Sequence, residues 1–147
     1  MKALLTSFVL SIGAAMPAFA DLVTVSSPKS VTETADALAA AIEGAGAKVV
    51  ARVDHQKAAA GADLEMGEAQ VLIFGNPKIG TPAMQADIRS ALYLPLKVLV
   101  YADADGKTQL TYDDPAAMFE ELDIPADAEF LKVMTGALGK LTAKAAQ

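Results

Sequence analysis

The 147-residue sequence predicts an α+β fold: an antiparallel sheet covered on one face by two long helices, in the order β-α-β(4)-α with short helical insertions. Three observations carry this. One early segment and one at the C-terminal end repeat apolar residues at helical spacing. Between them lie four short runs rich in Val, Leu, Ile and Thr, each bounded by Gly, Pro, Asn or Asp. The last two runs are joined by Asp105-Gly106, a hairpin turn, and a sheet of hairpin-linked strands segregates its helices to one side.

The elements follow in order. Leu22-Val23-Thr24-Val25 alternates and is β-branched, so it is the first strand. Ser30-Val31-Thr32-Glu33 is a capping box, in which the Ser30 hydroxyl takes an orphan amide proton and Glu33 reaches back. Val31, Ala35, Leu38 and Ile42 then form one helical stripe, and Gly44 and Gly46 supply its left-handed stop. Lys48–Val53 is a second strand, Asp54–Leu64 a turn or two of Ala-rich helix, and Ala69–Phe74 a buried third strand. Thr81-Pro82 has the form of an N-cap followed by proline at the first helical position, with Met84, Ile88 and Ala91 on one face of the helix it starts. Leu94–Tyr101 is a fourth strand with Pro95 confined to its beginning. Thr108–Tyr112 is the fifth, and Asp114-Pro115 opens a short helix through Leu122. The last helix carries Phe130, Val133, Met134, Ala137, Leu138 and Leu141 as a broad apolar stripe.

The N-terminus has the three parts of a secretory signal: the basic residue Lys2, an apolar run from Ala3 to Met16, and the small-residue site Ala18-Phe19-Ala20. The run partitions into the bilayer at the translocon while Lys2 stays behind. It ends at Pro17, short of the roughly 20 apolar residues that a spanning helix needs. The expectation is a signal peptide over 1–20, cleavage between Ala20 and Asp21, one domain over 21–147 with no membrane span, and a periplasmic or secreted product.

Without residues 1–20 the net charge moves from −6 to −7, because Lys2 is their only charged residue. An acidic chain repels phosphate backbones, which argues against nucleic acid as a partner. There is no cysteine, so neither disulfides nor thiolate chemistry are available, and stability rests on packing.

Several stretches are recognisable together: Asp54-His55-Gln56-Lys57, Ile73-Phe74-Gly75-Asn76-Pro77-Lys78-Ile79-Gly80-Thr81-Pro82, Leu94-Pro95-Leu96-Lys97, and Tyr112-Asp113-Asp114-Pro115. In this order they resemble the family called Domain of Unknown Function 302, over residues 54–115 by motif and over the flanking helices by order. The resemblance implies a TATA-binding-protein-like β-α-β(4)-α fold and a homodimer, and it brings no catalytic residues. Glu65-Met66 departs from the family pattern, which carries a proline after the residue equivalent to Leu64.

The candidate site residues are Asp54, His55, Gly75, Asn76, Lys78, Gly80, Thr81 and Lys97. His55 is the only histidine, and beside Asp54 it suggests an oriented imidazole; the competing reading is a turn residue. Gly75 and Gly80 have the spacing of a phosphate loop, but Thr81-Pro82 stands where such a loop needs Lys-Ser/Thr. What survives is a helix N-terminus whose free amides, with Lys78, suit a small anion, against a plain strand-to-helix turn. Asp103-Ala104-Asp105-Gly106 fails as a calcium loop, since Tyr101 and Tyr112 occupy its anchoring positions. Met66 and His55 form a long-shot soft-metal pair, with no cofactor otherwise indicated. No Gly-x-Ser-x-Gly elbow accompanies Ser26, Ser27 or Ser30.

Three function classes remain. The foremost is a non-enzymatic envelope module that dimerises and binds a small anionic ligand, metal or protein partner around His55 and the Gly75–Thr81 turn. A structural or chaperone-like interaction protein is the alternative. The third is a small enzyme using Asp54 and His55, with Lys97 activated by burial in its apolar strand.

Overall fold

The computed structural model describes residues 21–147; the expected signal peptide over 1–20 lies outside the described residues. Strands β1 (Leu22–Ser27), β2 (Lys48–Asp54), β3 (Ala69–Gly75), β4 (Leu96–Ala102) and β5 (Thr108–Asp113) form one sheet in the order β1-β5-β4-β3-β2, with every neighbouring pair antiparallel. Helix α1 (Val31–Gly44) carries the chain from one sheet edge to the other, and α5 (Glu129–Ala145) lies beside it. Shorter helices α2 (His55–Ala60), α3 (Pro77–Ala86) and α4 (Pro115–Met118), and a 3-10 turn at Ile88–Leu92, fill the connections. The expected α+β architecture is therefore present. Among the described residues no helix is long and apolar enough to cross a membrane.

Alternation along the strands sorts the two faces. Leu72 and Phe74 of β3, Val98 and Val100 of β4, and Leu110 and Tyr112 of β5 are buried under the helices. Val71, Ile73, Leu99 and Tyr101 point to the opposite face and stay partly exposed. From above, α1 contributes Val31, Ala35, Leu38, Ala41 and Ile42, and α5 contributes Leu138, Leu141 and Ala145. Alanine at the contact lets the two helices approach closely, which explains its abundance in both. The capping box is formed as expected: Ser30 Oγ accepts from Glu33 N at 3.3 Å, and Ser30 N donates to Glu33 Oε2 at 3.0 Å. The α1 stop is Gly46, at φ +74°, where a side chain would be strained.

A second apolar cluster lies beside the first. Ala83 of α3, Met118 and Phe119 at the end of α4, and Leu131 and Met134 of α5 form it, with Tyr93 edge-on to Phe119 at a centroid distance of 5.7 Å. Asp87 locks its periphery. Its carboxylate accepts from Arg89 N at 2.9 Å, holds the Arg89 guanidinium at 2.6–3.1 Å and accepts from Asp123 N at 3.0 Å.

Several local expectations change. Helix α3 begins at Pro77, not Pro82: Asn76 caps it, and Pro82 lies inside it. Asn76-Pro77 offers the same cap-then-proline signal as Thr81-Pro82, and it comes first in the chain. The helix then ends at Ala86, so Ile88 and Ala91 are not on its face; both are exposed. The short helix from Pro115 stops at Met118 instead of Leu122. On α5 the buried stripe is Leu131, Met134, Leu138, Leu141 and Ala145, while Val133 is exposed and Phe130 half-buried. Tyr112 is buried instead of half-buried, and that burial pushes its phenol above the usual range.

The Arg89 hydrogen bonds, then the backbone amides of Asp123 and Arg89, hold the Asp87 carboxyl far below the ordinary carboxylate range. A depressed folded-state pKa means the native protein binds fewer protons than the unfolded chain. The contribution is thus complete above the ordinary Asp value of about 4 and is lost as the pH falls below it. Asp87→Asn should lower the melting temperature at pH 7, and the gap from wild type should narrow steadily below pH 4. Parallel melts across that range test this; a gap independent of pH would refute it.

Candidate functional site

Asn76 and two glycines shape the region where the second cluster meets the sheet. Asn76 Oδ1 accepts from Lys78 N at 3.0 Å, capping α3, while Asn76 Nδ2 donates to Gly46 O at 3.2 Å. One side chain thereby fixes both the start of α3 and the turn between α1 and β2. A methyl group added at Gly75 would lie 3.5 Å from Pro95 Cβ, and one at Gly80 3.6 Å from Leu94 Cδ1. The Phe-Gly-Asn-Pro and Leu-Pro-Leu-Lys motifs are therefore two sides of one contact, continued in the pairing of Phe74 with Leu96.

Around this contact is a cavity of about 400 Å³. The first residues of β2 (Ala47 just before it, then Lys48 and Val50) form its outer edge, and Val50 sits where a bulge shifts the β2–β3 register. Phe74, Leu94 and Leu96 form one wall, and Ile79, Gly80 and Met84 of α3 a second. Met134, Ala137 and Leu141 of α5 complete it. Phe74 and Leu141 belong to the first apolar cluster, and Met134 to the second. The cavity is the seam between them.

Of the sequence-predicted residues, Gly75, Asn76, Gly80 and Thr81 line this cavity. Lys78 does not. It sits with Ile79 and Pro82 of α3 and Glu129, Phe130 and Val133 of α5 around an adjoining depression. Nor are the expected free amides at the start of α3 available. Pro77 has none, Lys78 N is held by Asn76 Oδ1, and Ile79 N and Gly80 N both donate to Asn76 O at 2.9 and 3.0 Å. The helix caps itself, so no amide cradle for an anion is left there.

Asp54 and His55 are elsewhere. Lys48 pairs with Gly75 at one end of the β2–β3 ladder and Asp54 with Gln70 at the other, roughly 20 Å away at strand spacing. The single groove expected around His55 and the Gly75–Thr81 segment is thus two separate places. Asp54 Oδ1 accepts from Lys57 N at 2.9 Å as the cap of α2, and His55 is exposed at that helix's first position. Lys97 is exposed on the uncovered sheet face, opposite Ile73, so the burial that would activate it is absent. Asp54, His55 and Lys97 do not converge. Met66 is exposed in the segment after α2, and no group of three or more His, Cys, Asp or Glu residues that could hold a metal occurs among the described residues. Ser30 is the α1 cap, and Ser27 Oγ shares a 2.8 Å hydrogen bond with Thr34 Oγ1.

Sequence reasoning missed Lys48, Val50, Leu94, Met134, Ala137 and Leu141 as lining residues. Met134, Ala137 and Leu141 had been read as core, and an apolar stripe that faces a cavity has the same spacing as one that faces a packed core.

Replacing Asp54 with Ala should cost about 1 kcal/mol, the usual value of an N-cap, whereas His55→Ala should leave the denaturation midpoint unchanged. Urea titrations of the two variants check this; equal losses would assign His55 a structural contact.

The chain is 39% identical over 117 residues to a protein named fluoride-specific ion channel FluC 1 from Brucella suis biovar 1 (strain 1330), covering 78% of this chain and 46% of that protein. The same identity links it to a FluC 1 from Brucella abortus biovar 1 (strain 9-941), of which it covers 43%. The chain thus spans less than half the length of the curated relatives it matches. Among solved structures, an uncharacterized conserved DUF302 protein from Bacillus stearothermophilus superposes with a TM-score of 0.77 at 18% identity, over 84% of this chain and 97% of that one. The model of the domain of unknown function DUF302 matches residues 23–143, and the chain belongs to that family.

Proposed function

We propose that this protein is an exported, non-enzymatic binding module whose seam cavity takes a small, largely apolar molecule. The cavity carries this reading. Its volume falls within the roughly 300–1,000 Å³ of small-molecule sites, and its walls are almost entirely carbon. An apolar molecule there would be shielded from water by residues of both clusters. The homodimer that the family resemblance implies belongs to the same reading, and we assign it to the uncovered sheet face carrying Val71, Ile73, Leu99 and Tyr101.

Native mass spectrometry of the protein from its host's envelope fraction reads the processed mass, the oligomeric state and any retained ligand together. The expected species is a dimer with added organic mass. Gly80→Leu should remove that mass without lowering the melting temperature, since leucine favours the helix by roughly 0.8 kcal/mol over glycine and its side chain would enter the cavity. A wild-type protein that is empty and unstabilised by small apolar probes overturns the cavity reading, and a monomer overturns the dimer.

A second reading comes from the relatives. They are named as fluoride-specific ion channels, the match spans 117 residues at 39% identity, and over half of each relative lies beyond the match. We propose that this chain is the counterpart of an accessory domain that works beside such a channel. Deleting its gene should then sensitise the host to fluoride, read as growth across a fluoride series; unchanged tolerance rejects the link.

A further inference from the structure

The two ends of the sheet differ in chemistry. Leu22, Lys48, Gly75, Leu96 and Asp113 are the terminal residues of their strands at one end. The turn before β2, the start of α3, the segment leading into β4 and Asp21 all lie there. On the β2–β4 side the connections are Ala45-Gly46-Ala47, Asn76 and Tyr93-Leu94-Pro95, and none carries a charge. Leu92, at the end of the 3-10 turn that leads into them, is 81% exposed, more than any other large apolar side chain among the described residues. The cleft opens through the same end, since Ala45, Pro77 and Pro95 are exposed and belong to its lining.

The opposite end also exposes apolar side chains, Leu64 and Met66. There they alternate with Asp63, Glu65 and Glu68, and the β4–β5 turn adds Asp103 and Asp105. Carboxylates pressed into an apolar phase would lose their hydration without replacement, so that end stays in water. The end around Leu92 carries no such penalty.

Resting on the export reading above, we propose that the end formed by Ala45, Pro77, Leu92 and Pro95 docks on the surface of a zwitterionic lipid bilayer. Residues 1–20 join the domain at Asp21, on this same end and two strand spacings, roughly 10 Å, from β4. Their apolar run occupies the bilayer until cleavage, so the domain is delivered with this end towards lipid. A net charge of −7 after cleavage repels anionic headgroups, which selects a neutral surface. The contact is interfacial, because among the described residues no helix is long and apolar enough to cross. The mouth of the cleft then faces lipid, the phase in which a small apolar molecule is concentrated.

The chain contains no tryptophan, so a single introduced indole reports its own surroundings. Leu92→Trp and Leu64→Trp place one at each end, both at exposed positions. Each protein, purified from the host's envelope fraction, is weighed intact and mixed with phosphatidylcholine vesicles whose acyl chains are brominated. The indole of Leu92→Trp should be quenched, and that of Leu64→Trp should not. Leu92→Ser should lower the partition of the protein onto unlabelled vesicles about ten-fold. High salt should leave that partition unchanged, since no ion pair is involved. Equal quenching in the two variants, or none in Leu92→Trp, overturns the lipid surface while the export reading stands. So does a Leu92→Ser variant that turns from dimer to monomer with unchanged vesicle binding, which assigns the patch to a second copy. If the intact mass shows residues 1–20 still attached, the export reading falls and this inference falls with it.

Discussion

Helix α5 belongs to two apolar clusters at once, and the remaining architecture depends on that sharing. Its C-terminal half packs Leu138, Leu141 and Ala145 against α1 and the sheet, while Met134 and Leu131, one and two turns earlier, pack against α3 and the end of α4. One amphipathic stripe therefore holds both the helix-on-sheet layer and the irregular connections beside it. Burial of large side chains such as Leu138 and Met134, each 1% exposed, stabilises by roughly 1.5–3 kcal/mol apiece. The second cluster has no sheet of its own and would not persist without α5.

Sharing one helix between two clusters leaves a seam, because α3 and the sheet meet α5 from different directions. Several residues along it are small or conformationally constrained, among them Gly75, Pro77, Gly80, Pro95 and Ala137. Such residues let backbones approach while supplying little side-chain volume. The seam is consequently a half-open cleft instead of a packed contact, and Asn76 fixes α3 to the turn before β2 beside it. The same residue uses up the helix-terminal donors that an anion would need, Lys78 N through its side-chain oxygen and Ile79 N and Gly80 N through its backbone oxygen. Structural and binding roles compete here for the same protons, and the structural one has taken them.

Polar residues elsewhere serve mainly as fasteners. Asp54 caps α2, and Asp103 caps the β4–β5 turn by accepting from Asp105 N and Lys107 N at 3.0 and 2.9 Å. Asp114 caps α4, and Asp87 ties the 3-10 turn to the segment before α5. An acidic composition thus reflects, in part, a chain with many short elements, each of which needs its orphan amides met. The motif stretches fit this pattern, since Asp54, Asn76 and Asp114 are all caps.

The sequence by itself determined what depends on neighbours along the chain. The capping box at Ser30, the α1 stripe, the alternation in β3 to β5, the Asp105-Gly106 turn and the family resemblance all rest on short spacings, and the fold follows from them. Where two local signals compete, as Asn76-Pro77 and Thr81-Pro82 both announce a helix, the first one met along the chain starts it, with Asn76 Oδ1 capping Lys78 N. Tertiary structure alone decided the site. Lys48 meets the Gly75-Asn76 pair through strand register, and Ala137 and Leu141 join them through helix docking, three stretches that lie far apart in sequence. Asp54 closes β2 and Gly75 closes β3, and because the two strands run antiparallel these residues lie at opposite ends of the ladder. Empty space has no residue of its own, so a cavity becomes visible only when the elements around it are in place.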